Sequence, residues 1–103
     1  MLIKKKKVIL LLIQADQKMI NQYFKFLKDS GYIYWKDKLG FYLERGIKRF
    51  SVIQIGPFLD VYYNKKENGK YVLQEKITGQ ISLLVCLRWI FDRSKSESIG
   101  IKS

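Results

Sequence analysis

Residues 48–78 read KRFSVIQIG-PFLDVYYN-KKENG-KYVLQEKIT. Three runs rich in Val, Ile, Phe and Tyr are separated by Gly56-Pro57 and by Asn68-Gly69. Apolar residues that alternate with polar ones between turn signals are the pattern of antiparallel strands joined in sequence. Asn-Gly supplies the two positive φ angles of a type I′ turn, so the second break predicts a hairpin. The stretch therefore predicts a three-stranded antiparallel meander.

Upstream, YIYWKDKLGFYLERG (residues 32–46) adds two more strands by composition, one on each side of a turn at 36–40, with Gly46 ending the second. Before them, Asp16 to Ser30 carries Met19, Ile20, Tyr23, Phe24 and Leu27 as a helical stripe. Gly31 is placed to close that helix. The apolar run between Lys7 and Gln14 fits a buried strand, and a long helix through to Asp29 fits it as well. Four lysines at a helix N-terminus would oppose the macrodipole, and Asp16 offers an N-cap, so the expectation here is a strand. A second helix is expected from Gly79 to Arg93 with Thr78 as its cap. That segment is apolar nearly all round, which suits a buried position or a homodimer interface.

The fold class expected is α+β: an antiparallel meander of four or five strands, with an N-terminal strand besides, packed with two helices. A chain of 103 residues makes one domain. It is expected over 1–94, followed by a polar tail at 95–103 that frays.

Net charge is +11, of which residues 1–50 contribute +8 and residues 51–103 contribute +3. A field of that sign favours polyanions: nucleic acid, an anionic membrane surface, or an acidic protein face. The run Val8 to Ile13 is too short to span a bilayer, and Ile13 stands where a secretory cleavage site needs a small residue. Cys86 is the one cysteine, so no internal disulfide forms. It lies in an apolar segment that suits a buried, unreactive thiol, and an intracellular setting is the expectation.

Histidine is absent, which removes the usual general base and most catalytic zinc sites. No glycine-rich phosphate loop is present, and neither a cofactor nor a metal site is expected. One enzymatic pattern remains. The order of helix, strand, strand with Asp60, hairpin, strand with Gln74-Glu75-Lys76, and helix resembles the αβββα core of restriction-endonuclease-like metal nucleases over about residues 16–93. The resemblance implies Asp60 as a metal-binding acid and Lys76 as the lysine. Gln74 stands where that class has an acid, and Pro57 lies two residues further from Asp60 than usual, so the metal site is incomplete.

Cations and aromatics interleave most densely at Tyr32, Tyr34, Trp35, Lys36, Lys38, Arg45, Lys48 and Arg49. Alternate residues of a strand share a face, which groups Tyr32, Tyr34 and Lys36 on one side. Rings with cations at their rim suit single-stranded nucleic acid, whose bases stack and whose phosphates attract lysine. The leading expectation is a non-enzymatic protein that binds single-stranded DNA or RNA with little sequence preference through these eight residues. The second is a protein-interaction module, such as an inhibitor of viral or mobile-element type that docks on an acidic partner.

Overall fold

A computed structural model describes the backbone from Leu2 to Lys102 and the side chains of residues 16–95. In chain order it contains α1 (Leu2–Asp29), β1 (Ile33–Lys36), β2 (Gly40–Arg45), β3 (Lys48–Ile55), β4 (Phe58–Glu67), β5 (Lys70–Gln80) and α2 (Leu83–Lys102). The five strands pair antiparallel in sequence order, so the sheet is a pure meander and the fold is α+β.

The segment between Lys7 and Gln14 is helical, which corrects the expected strand. No glycine or proline occurs before Gly31, so nothing in the first 30 residues breaks a helix once it is formed. Asp16 accordingly lies inside α1 and caps nothing. The closing of α1 does follow the sequence. Gly31 N–H donates to Lys28 O at 3.0 Å and Tyr32 N–H to Leu27 O at 3.0 Å, the paired bonds of a Schellman motif.

The β4–β5 hairpin forms as Asn68-Gly69 requires, with φ of 52° and 80° at the two turn residues. It sets Glu67 opposite Lys70 and Lys66 opposite Tyr71. Further along, Tyr63 pairs with Glu75 and Asn64 with Leu73, which leaves Gln74 as an extra residue on β5. A second extra residue falls between the pairs Val61–Ile77 and Leu59–Gln80. At that second bulge Asp60 Oδ1 accepts a 2.9 Å bond from Gly79 N–H. This bond keeps residues 79 and 80 in the sheet and moves the helix start from Gly79 to Leu83. Ser82 Oγ then accepts from Val85 N–H at 3.3 Å and does the capping expected of Thr78. The bounds of α2 also take in most of the segment read as a polar tail, and the side chains of 96–103 lie outside the described residues.

Both helices lie on one side of the sheet. Leu27 of α1 and Cys86 and Ile90 of α2 join Leu43, Phe50, Val52, Val61 and Tyr63 in a single core, with Phe41, Leu59, Ile77 and Trp89 packed around it. Phe50 stacks on Tyr63 at 4.7 Å between ring centroids. Burial pushes the Cys86 thiol above its ordinary pKa, which keeps it protonated and unreactive. Gly40 is fixed by close approach: a Cβ there would stand 1.8 Å from Val52 O on the neighbouring strand.

Phe50→Ala is expected to cost about 3–5 kcal/mol, since it opens a cavity at the centre of this core. Gly40→Ala is expected to weaken the fold too, by forcing β2 away from β3. Urea denaturation followed by circular dichroism measures both, and a loss below about 1 kcal/mol for Phe50→Ala would contradict the packing described.

Candidate functional site

Side chains of a strand point alternately to the two sides of its sheet. Burial of Leu43, Phe50, Val52, Val61 and Tyr63 under the helices therefore turns their neighbours to the opposite side, on which, among the described residues, no helix is packed. The pairing register puts Trp35, Tyr42, Ser51, Tyr62 and Lys76 side by side across all five strands there. Ile33, Glu44, Arg49, Asn64 and Leu73 form the adjoining row.

Arg49 is the centre of this face. Its guanidinium lies 3.9 Å from the ring centroid of Tyr71 and 5.3 Å from that of Trp35. Glu44 Oε1 fixes it by accepting from Arg49 Nε at 2.7 Å, and accepts from the Tyr71 hydroxyl at 2.5 Å as well. Trp35 in turn stacks on Tyr42 at 5.2 Å with 19° between the ring planes. Lys66 Nζ stands 5.9 Å from the Tyr71 ring. The result is a cation held among aromatic rings, with lysines to either side.

Electrostatics keep the hydroxyls of this face neutral. The bond to Glu44 raises the Tyr71 pKa, and the bond to Asp37 (Oδ2, 2.9 Å) raises that of Tyr42. Burial, and then the bond to Asp60, raises that of Tyr62. Glu44 moves the other way: the Tyr71 hydroxyl, and then Arg49, hold its carboxyl below the usual range. Asp37 is lowered likewise, first by the Leu39 N–H. The arrangement offers aromatic rings and positive charge to a ligand.

Two of the eight residues expected from the sequence lie on this face, Trp35 and Arg49. Tyr32 is buried in the core, 4% exposed, with its ring beside Phe50, so no base can reach it, and the Arg45 guanidinium lies 4.7 Å from its ring centroid. Arg45 also donates to Ser30 O at 2.9 Å and belongs to the joint between α1 and β1. Tyr34 and Lys36 share a face as expected, but it is the helix side, where Tyr34 meets Phe24 edge-on at 5.5 Å. Lys48 is buried at the start of β3, and Lys38 is exposed in the β1–β2 turn. The eight expected residues leave out Tyr42, Tyr62, Tyr71, Lys66 and Lys76, which the register brings to this face. The Asn68-Gly69 turn contained the signal for the Lys66–Tyr71 pair, because a two-residue hairpin fixes its register.

Of the nuclease-like residues, Asp60 and Lys76 both lie on the open face. The Asp60 carboxylate is engaged by Gly79 N–H and the Tyr62 hydroxyl (3.1 Å), while Glu75 points to the helix side and pairs with Arg93. Gln74 donates to Glu67 and to Val72 O. Among the described residues, no three His, Cys, Asp or Glu side chains are grouped as a metal ion would need. Nor, among them, is any helix long and apolar enough to cross a membrane.

Comparison with protein-family models, with curated proteins and with solved structures finds no match.

Because folding lowers the pKa of Glu44, the stabilisation it provides is present above its ordinary value of 4.5 and is lost as pH falls through the folded value. Stability measured by urea denaturation is therefore expected to drop as pH falls below 4.5, and Glu44→Gln to lessen that drop. An unchanged acid sensitivity in the variant would show that Glu44 does not hold the Arg49–Tyr71 cluster.

Proposed function

We propose that the open face of the sheet binds single-stranded nucleic acid with little sequence preference. The observation that carries this reading is Arg49, held by Glu44 between the rings of Trp35 and Tyr71 on a surface that no helix covers among the described residues. Planar guanidinium groups and aromatic rings are the partners on which unpaired bases stack, and they accept any base because every base has a π face. Lys66 and Lys76 stand on the same face to meet phosphates, and the net charge of +11 draws a polyanion toward the protein.

A fixed cation among neutral rings favours this reading over one that needs an activated water or a covalent intermediate. The hydroxyls of Tyr42, Tyr62 and Tyr71 are tied to carboxylates, so their rings are held in place before a ligand arrives. Such order reduces the entropy lost on binding.

Fluorescence anisotropy with labelled single-stranded DNA and RNA at two salt concentrations tests the proposal. Affinity is expected to fall steeply as salt rises, with a slope reduced by about 0.7 for each of Lys66→Ala and Lys76→Ala that removes a phosphate contact. Trp35→Ala is expected to weaken binding by about 1–3 kcal/mol, or roughly 5- to 150-fold. Undetectable or salt-independent binding would end the proposal.

A further inference from the structure

One end of the sheet gathers large apolar side chains that the core does not use. The β1–β2 turn presents Leu39, 60% exposed, and the β3–β4 turn presents Ile55 and Phe58. The link from β5 to α2 presents Ile81, 82% exposed, and Val85 follows on the first turn of α2. Backbone bonds and strand pairing make these segments neighbours. Gln54 N–H donates to Leu39 O at 2.9 Å, Ile55 pairs with Phe58, and Leu59 pairs with Gln80, the residue before Ile81. A single exposed apolar side chain is ordinary, whereas a group drawn from three separate segments marks a surface that meets an apolar phase.

Exposed cations outnumber exposed acids at this end. Lys36 and Lys38 flank the β1–β2 turn, and Arg88 follows Val85 by three residues on α2, all three exposed. Of the nearby acids, Asp60 is buried and Asp37, between the two lysines, is exposed, and both carboxylates hold donors of the chain itself. Asp37 accepts from Leu39 N–H, Gly40 N–H and the Tyr42 hydroxyl, and Asp60 from Gly79 N–H and the Tyr62 hydroxyl. Apolar tips ringed by long cationic side chains suit a phase that is apolar inside and anionic at its surface. Lysine and arginine can lay their aliphatic stems along the boundary and keep their charges among the headgroups.

We infer that this end docks on the surface of an anionic lipid bilayer, with Leu39, Phe58 and Ile81 entering the boundary between headgroups and acyl chains and Lys38 and Arg88 meeting the headgroup charges. Three short segments reach only the boundary, so the attachment is peripheral and reversible. Attraction of several cations to anionic lipid adds to the apolar insertion, and neither alone holds firmly.

Vesicle flotation of the full chain tests this, with phosphatidylcholine vesicles made with and without phosphatidylserine and no nucleic acid present, so the outcome is separate from that of the oligonucleotide measurement. Wild-type protein is expected to float with the phosphatidylserine vesicles and largely to stay behind with phosphatidylcholine alone. The double variant Phe58→Ser/Ile81→Ser, altered only at exposed positions and checked for an unchanged circular dichroism spectrum, is expected to bind at least about tenfold more weakly. No flotation of the wild type, indifference to phosphatidylserine, or equal binding by the double variant would each overturn the inference. So would a wild-type dimer in sedimentation that the double variant splits into monomers, because the apolar end would then be covered by a second copy.

Discussion

Everything on the outer face of this protein depends on the two-residue period of its strands. Once Leu43, Phe50 and Tyr63 are buried in register across β2, β3 and β4, their neighbours Tyr42, Glu44, Arg49, Ser51 and Tyr62 must point outward. A slip of one residue would put Arg49 into the core and Phe50 into water. The core thus determines which residues can meet a ligand, and it does so without touching one. Close approach of Gly40 to Val52 O limits how β2 can shift against β3 and protects that register.

The meander was legible because its signals are local. Asn68-Gly69 specifies a turn, Gly56-Pro57 interrupts a strand, and the apolar alternation between them has a clear period. What was not legible is which side of β1 the helices cover. Tyr32, Tyr34 and Lys36 do fall on one side, but sequence alternation groups residues without saying which group is inside. Of the two tyrosines, Tyr32 packs beside Phe50 in the core, whereas Tyr34 touches Phe24 and Phe41 on the helix side and stays 40% exposed. Only pairing across strands reveals the outward row, and that register depends on contacts far apart in the chain.

The two misread helix boundaries have a common physical origin. Asp16 and Thr78 each offer a side chain able to accept an N–H bond, which is the local signal for a cap. Competition decides such cases. Around Asp16 nothing interrupts the run of helix-forming residues, so the helix extends through it. Beyond Thr78, Asp60 takes the Gly79 N–H from another strand, β5 continues, and the capping falls to Ser82. A cap is a local preference, and one well-placed partner elsewhere outbids it.

The two bulges of β5 have a consequence for how the protein behaves among its own copies. β5 is the long outer strand of the sheet, and its far side has no neighbour among the described elements. A long straight strand in that position would template cross-β stacking with any passing chain. Extra residues at Gln74 and near Gly79 interrupt its spacing twice, so an incoming segment finds no continuous ladder to zip along. The irregularity that delays α2 by four residues therefore also guards the chain against amyloid-like association.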